Sequence, residues 1–425
     1  MGPALHRLLI LTAAIALSAC AVPDADEGVA ESVENSPLTT GNAVTVLRDG
    51  DETFAAIGKA ISGARESINL EYYMIEDVML TTPDGNARSL ADTLVAKLRQ
   101  GVAVNIIYDS YGSSDTPRDF FDRLQAAGAH LVSFHPIDPN PVNVVQGNDR
   151  DHRKILVADG RVAVTGGVNL SKTYQSKSPG NDDAAAEEDP ATGLPAQWRD
   201  TSVRIEGPAV KEVQTLFFEH WREEGGATLD RSRYFPKPRA KGDEVVRIIG
   251  STPKQAVSRY YVTLISALRS ARSRIWISNA YFVPTEEEME ALTAAAKRGV
   301  DVRLLLPAES DAEMAIDAAQ SHYSDLLAAG VKIYEVGDVV LHSKTVAIDG
   351  GWSAIGSSNF DHRSVLFNDE IDAIVIGRTT AAELEAIFKD GEQTAAEIDR
   401  DSWEAQRPFG ARARGFLARI WEGLL

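Results

Sequence analysis

Two of the eight histidines in the chain open matching motifs, His152-x-Lys154-x4-Asp159 and His342-x-Lys344-x4-Asp349. In an extended segment residues two apart share a face, so each histidine and its lysine project into the same cleft. One copy is half a site. Opening a phosphodiester by double displacement needs a nucleophile on one side of phosphorus and a proton donor for the leaving oxygen on the other, and two facing imidazoles supply both. After each aspartate come six residues and then a Gly-rich turn ending in asparagine, Gly166-Gly167-Val168-Asn169 and Gly356-Ser357-Ser358-Asn359. With the lysines, Asn169 and Asn359 would bind the phosphate and meet the charge that builds on its oxygens. Asp200 and Glu370 each lie seven residues before a glycine that closes a strand, Gly207 and Gly377. They fit the role of a carboxylate that fixes the tautomer of each histidine. The catalytic candidates are therefore His152, Lys154, Asp159, His342, Lys344 and Asp349. The two aspartates lie beyond the His-Lys pair at the strand's end, a place that suits turn geometry better than direct catalysis. No metal-ligand spacing is visible, so neither a metal nor another cofactor is expected and activity should survive chelation.

These motifs need elements to carry them, and the elements also occur twice. Strand-like Ile68–Tyr73 is matched by Ile275–Ser278, the strand entry Gly101–Ile107 by Gly299–Leu305, and the helix end Leu124–Gly128 by Leu327–Gly330. Helical patterns alternating with short apolar strands indicate α/β layers with a largely buried sheet. The expected fold is two similar α/β sandwich domains sharing one active-site cleft. The first spans residues 41–235 and the second 236–400, joined through the Pro-punctuated stretch Leu229–Asp243. An acidic, Ala- and Gly-rich insertion from about Ser178 to Pro195 reads as an exposed loop. Residues 401–425 form a C-terminal segment with Phe416, Leu417, Ile420, Trp421, Leu424 and Leu425 at helical spacing, suited to docking on the second domain or, secondarily, to anionic lipid.

The whole pattern resembles the phospholipase D superfamily from about residue 44 onward, and within it the bacterial cardiolipin synthases. The resemblance is carried by Arg150-Asp151-His152-Arg153-Lys154-Ile155, Gly166-Gly167-x-Asn169, Trp198-Arg199-Asp200, Tyr281-Phe282-Val283-Pro284, Asn359-Phe360-Asp361-His362-Arg363-Ser364 with Asn368 and Glu370, and Arg407-Pro408. It implies phosphatidyl transfer through a phosphohistidine, without metal, from one phospholipid to the glycerol hydroxyl of another. Phosphatidylglycerol would be the substrate, His152 the nucleophile and His342 the acid. Hydrolysis to phosphatidic acid is the alternative within the same chemistry. A periplasmic nuclease or other phosphodiesterase ranks lower, because a net charge of −19 repels polyphosphate backbones and makes nucleic acid an unexpected partner.

Such synthases often begin with membrane-spanning helices, whereas the first twenty residues here read as a secretory leader. His6 and Arg7 precede an apolar run from Leu8 to Leu17, and Leu17-Ser18-Ala19-Cys20 resembles a bacterial lipobox. The expectation is a signal peptide over residues 1–19, a lipidated Cys20, a flexible tether over 20–40, and attachment at the periplasmic side of the envelope, the outer membrane before the inner. Cys20 is the single cysteine, so no disulfide can form within one chain. His130, His135, His220, His322 and His362 lack partner spacing and read as ordinary surface or core residues. Tyr72, Tyr73, Tyr281 and Phe282 read as core at strand ends rather than as a rest for acyl chains.

Overall fold

The computed structural model describes residues 36–136, 149–175, 193–195, 197–255 and 257–406. The leader, Cys20, most of the acidic insertion, and the segment from Arg407 onward, with Arg407-Pro408, lie outside the described residues.

Seven strands of the first half recur as seven in the second. They are β1 (Thr39–Arg48), β2 (Ser67–Tyr72), β3 (Ala103–Asp109), β4 (His130–Phe134), β5 (Lys154–Ala158), β6 (Val162–Gly166) and β7 (Thr201–Glu206). The second series is β8 (Glu244–Ser251), β9 (Arg274–Asn279), β10 (Asp301–Pro307), β11 (Lys332–Val336), β12 (Lys344–Ile348), β13 (Trp352–Gly356) and β14 (Asn368–Ile376). The order across the sheet is β4-β3-β2-β5-β6-β7-β1, then β8-β14-β13-β12-β9-β10-β11. Adding seven to each label converts one half into the other. The halves join where β1 runs antiparallel to β8. Thr39 already pairs with Val246 there, so the fold takes over inside the stretch expected to be tether.

The parallel pairs β2·β3 and β3·β4 demand crossover helices. Helices α1 (Asp49–Gly63), α2 (Leu90–Arg99) and α3 (Arg118–Ala126) supply the helical cover of the first half. After β7 come α4 (Val210–Glu223) and the short α5 (Arg231–Tyr234). The second half adds α6 (Arg259–Ser270), α7 (Glu286–Lys297), α8 (Glu313–Ala329), α9 (His362–Leu366), α10 (Arg378–Thr394) and α11 (Arg400–Gln406). Local sequence fixes their ends. Ser89 and Ser258 cap α2 and α6, Thr285 and Glu288 form a capping box on α7, and α8 stops at Gly330 in the left-handed region at φ 95°.

Every residue of β2 and β5 is buried, as strands covered on both faces must be. One core lies under α1 and α2, with Ile57, Ile61, Leu70, Leu94 and Ile106. Its counterpart under α6 to α8 contains Leu264, Ile277, Leu292, Leu304 and Leu326. A third joins the halves: Ile155, Val157 and Ile205 share one cluster with Ile248, Ile355 and Ile371, flanked by Val213 of α4 and Leu384 of α10. Among the described residues no helix is long and apolar enough to cross a membrane.

Two short crossings stitch the halves together at one end of the sheet. Arg150–Asp151 runs parallel to the start of β14, and Trp198–Arg199 runs parallel to Val340–Leu341. Each crossing delivers one motif histidine: the His152 amide donates to the Asp369 carbonyl at 2.9 Å, and the His342 amide to the Arg199 carbonyl at 2.7 Å.

Candidate active site

Each histidine stands two residues before the first residue of a central strand, β5 or β12, and finds its carboxylate in the other half. His152 Nδ1 lies 3.0 and 3.1 Å from the Glu370 oxygens, and His342 Nδ1 lies 2.6 Å from Asp200 Oδ2. An Nδ1–H donated to a carboxylate places the ring in the tautomer whose Nε2 lone pair is available for chemistry. The crossed pairing follows from the stitches, because β14 and the strand after Arg199 bring Glu370 and Asp200 across with their backbones. All four groups are buried, with Asp200 and Glu370 at 1% and 0% exposure.

The carboxylates are held differently. Glu370 accepts from Asn368 at 3.1 Å, from Ser364 at 2.9 Å, and from Ser357. Asp200 accepts the Thr201 amide at 2.7 Å and presses on Gly167, where a Cβ would stand 2.0 Å from its Oδ1. Gly167 and Ser357 occupy equivalent places in the two turns. The shorter carboxylate faces a glycine, and the longer one faces a serine that donates to it.

Lys154 Nζ donates to the His152 carbonyl at 2.6 Å, and Lys344 Nζ lies 2.8 Å from His342 Nδ1 and donates to the His342 carbonyl. Both ammoniums thus stand beside their imidazoles. Burial lowers Lys154 to about 7 against the pull of Glu370, and burial also lowers Lys344. Burial, followed by Lys344, holds His342 well below its ordinary 6.5; burial lowers His152 too, against the opposing Glu370 charge. Asp200 is pushed up to about 6 by burial, while Glu370 is held below its usual range because His152 and Lys154 outweigh its burial. Asn169 and Asn359 are buried, and the Met74 amide donates to Asn169 Oδ1 at 3.3 Å. The Asn359 amide donates to Ser364 Oγ at 3.0 Å.

The arrangement is one imidazole, one ammonium, one asparagine and one carboxylate from each motif set, with the carboxylates exchanged. It can clamp a single phosphoryl group and offer it two imidazole nitrogens. The sequence model described as "Cardiolipin synthase, PLD-like domain" matches residues 57–183 and 264–391. The chain belongs to this family. It is a phosphatidyltransferase of the phospholipase D superfamily. A cardiolipin synthase of Geobacillus kaustophilus is 33% identical over 402 residues, covering 93% of this chain and 75% of that protein. A probable cardiolipin synthase of Bacillus subtilis is 32% identical over 391 residues, covering 91% and 73%. The crystal structure of a phosphatidylserine synthase from Haemophilus influenzae Rd KW20 superposes with a TM-score of 0.66 at 12% identity, covering 93% of this chain and 99% of that one, and so shares the fold.

Two members of the phospholipase D motif do not reach the site. Asp159 and Asp349 stand at the far ends of β5 and β12, both with φ 53°, and must be removed from the catalytic candidates. Asp159 accepts the amides of Arg65, Glu66 and Ser67, and Asp349 those of Arg272, Ser273 and Arg274. Each ties the turn after its motif strand to the start of β2 or β9. A cleft of about 680 Å³ at that remote end, lined by Asp159, Arg161, Lys237 and Arg239 among others, contains neither motif histidine.

The aromatic residues split. Tyr72 and Phe282 are core, but Tyr73 and Tyr281 stand edge-on to His152 and His342 at 5.5 and 5.8 Å, so the expectation of core holds for only two of the four. Sequence reasoning missed Tyr174, whose hydroxyl lies 3.0 Å from His342 Nδ1, and gave no role to Trp198, tilted against the same ring at 5.2 Å. Tyr174 follows Asn169 by the interval at which Ser364 follows Asn359. That shared offset was the available signal. His220 is no ordinary core histidine: its Nδ1 meets Glu71 Oε1 at 2.8 Å. Among the described residues Glu71, Asp151 and His220 bring metal-ligating atoms within 4.8 Å of one another, a juxtaposition invisible in their spacing, but the Arg153 guanidinium, 3.3 Å from Glu71, already supplies positive charge there.

Proposed function

We propose that this phosphatidyltransferase makes cardiolipin from two phosphatidylglycerols through a phosphohistidine. His152 Nε2 attacks phosphorus, and the P–O bond to the glycerol head group breaks as His342 gives that oxygen a proton. The phosphatidyl group, now bonded to His152, then passes to a hydroxyl of the second phosphatidylglycerol, whose proton His342 takes back. One glycerol is released for each cardiolipin formed. The observation that carries this reading is the crossed pair of Nδ1-to-carboxylate bonds, which turns His152 Nε2 toward the role of nucleophile and leaves His342 Nε2, with Lys344 Nζ 3.2 Å away, for the leaving oxygen.

Burial makes both imidazoles lean toward the neutral form. A phosphodiester anion bound beside Lys154 and Lys344 offsets the ammonium charges that hold His342 down, so binding charges the acid while His152 keeps its lone pair. The two rings titrate as a coupled pair, and turnover is expected to be bell-shaped in pH. Rapid acid quench of a single turnover should trap phosphate on His152 and on no other residue, and His152→Ala should lack the adduct. Recovery on His342 would reverse the roles, and no adduct at all would remove the double displacement. A lipid-product profile with phosphatidylglycerol, with and without added glycerol, tests the acceptor: cardiolipin supports synthesis, and phosphatidic acid alone would make the protein a hydrolase.

The leader residues support a further part of the same reading. We propose that Cys20 is lipidated and holds the enzyme at the periplasmic side of the envelope, where its substrates lie.

A further inference from the structure

Arg153 separates the two site residues His152 and Lys154, is 3% exposed, and touches four acceptors drawn from both halves. Its Nε donates to the Glu370 carbonyl at 3.2 Å, Nη1 to Glu71 at 3.3 Å, and Nη2 to Asp369 at 3.2 Å and the Ser251 carbonyl at 3.4 Å. Glu71 in turn accepts from His220 of α4 at 2.8 Å. Asp151, whose Oδ2 lies 3.9 Å from His220 Nδ1, completes the group and accepts the Arg153 amide at 3.2 Å. We propose that Arg153 is a positioning residue that clasps the strand bearing His152 to the strand bearing Glu370, and that Glu71, Asp369 and His220 hold its guanidinium in that pose.

The second half argues that this is more than packing. Tyr72 pairs with Lys154 as Asn279 pairs with Lys344, so the equivalents of Glu71, Arg153 and Asp151 are Ser278, Ser343 and Leu341. Leu341 sits there in an apolar cluster with Trp276, Leu305 and Phe388. The same fold is thus built once with a buried charge network and once without it. A buried ion cluster is at best weakly stabilising against a well-packed apolar one, so stability alone does not account for the network. What differs between the halves is the histidine served. His342 is flanked by Tyr174, Trp198 and Tyr281, whereas His152 has Tyr73 and the Arg153 clasp behind its carboxylate. A ring that carries a covalent group through two successive displacements must return to one orientation each time.

The charges agree with the geometry. Burial works against the proton on His220, but Glu71 outweighs it and lifts the imidazole to about 9, while burial, with Glu71 adding to it, pushes Asp151 well up. Two cations therefore face Glu71 and Asp369, and burial favours the neutral form of Asp151 beside them.

This inference rests on His152 being a reacting imidazole. Its test is Arg153→Lys in the full chain, which keeps the charge and loses the fork. The expected result is a fall in kcat of about 10–100-fold with KM within about threefold, since a displaced ring orients poorly while lipid still binds. Independently of activity, the low-field proton resonance of His152 Nδ1–H, assigned by its loss in Glu370→Gln, should vanish or shift upfield, and that of His342 should stay. An unchanged resonance with unchanged kcat overturns the clasp. Should Arg153→Lys fail to fold, Glu71→Gln loosens the guanidinium without removing it and is expected to give a smaller shift of the same sign; no shift there overturns the proposal equally. Loss of the resonance on chelation, with recovery on adding zinc, would make the cluster a metal site and also overturn it. If the wild-type protein transfers no phosphatidyl group, the functional reading falls, and the resonance still decides the clasp.

Discussion

Nδ1 commits each imidazole, and the carboxylate on it differs by one methylene between the two centres. Glu370 stays ionised through the working range, whereas Asp200 takes a proton near 6. The depressed histidines and the raised aspartate give separable pH signatures. As pH falls through about 6, Asp200 protonates, loses its hold on the His342 N–H, and the rate should drop. Asp200→Asn should remove that contribution and leave a low rate, reduced by about 10²–10⁴-fold because an amide can favour the wrong tautomer; the pH dependence that remains is that of the two imidazoles. Glu370→Gln should show a loss of similar size. A pH–rate profile of each variant checks both, and an Asp200→Asn profile with the wild-type acid limb intact would reassign that limb. At this scale the sequence was legible for the paired histidines, lysines, asparagines and carboxylates, because the repeat states each of them twice. It was silent on which carboxylate serves which ring, since offsets within one half carry no information about contacts between halves. Tyr174 escaped because its counterpart is a serine.

Among the elements, the central strands β5 and β12 have a chemical end and an architectural end. His152 and Lys154 occupy the first, and Asp159, binding three backbone amides of the neighbouring chain, the second. The expectation that both motif aspartates serve turn geometry fits the structure because a left-handed φ and three amide donors have no use for a free carboxylate in catalysis. Asp159→Ala or Asp349→Ala should leave amides unpaired and cost about 1–3 kcal/mol of stability, while kcat per folded molecule stays within about twofold. Thermal melts beside active-site titration check this; a loss of turnover in fully folded Asp349→Ala would return that residue to the chemistry. Strand order was readable as a repeat of α/β units, but the β1·β8 junction was not. Both strands mix polar and apolar residues in an ordinary way, and nothing local says that they pair across about two hundred residues.

Across the whole molecule, buried carboxyls set a stability gradient. Asp372, bonded by Ser358 at 2.6 Å and facing Gly356, is raised by burial to about 8 from 3.8. A carboxyl whose folded pKa is raised contributes stability at low pH that is lost as pH rises toward the folded value. The melting temperature of Asp372→Asn relative to wild type should therefore climb between pH 4 and 8 and level off above; a constant difference would mean that Asp372 is ionised throughout. At the same scale, the proposed lipidation predicts that Cys20→Ser frees the protein from membranes or leaves it unprocessed, because the substitution removes the thiol that would accept the acyl group. Unchanged radiolabelled-lipid incorporation would exclude the anchor.

The exchanged carboxylates also decide how this molecule fails. A chain with one half frayed, clipped or unfolded does not keep half of a reaction centre. Each surviving imidazole has lost the group that sets its tautomer, and the strand that supplied it left with the damaged half. Phospholipids are the wall of the compartment in which we place the enzyme, and a partial site that could still cut them while unable to reseal them would be a hazard there. Damage to either half instead silences both histidines together, so the structure defaults to inert rather than to leaky.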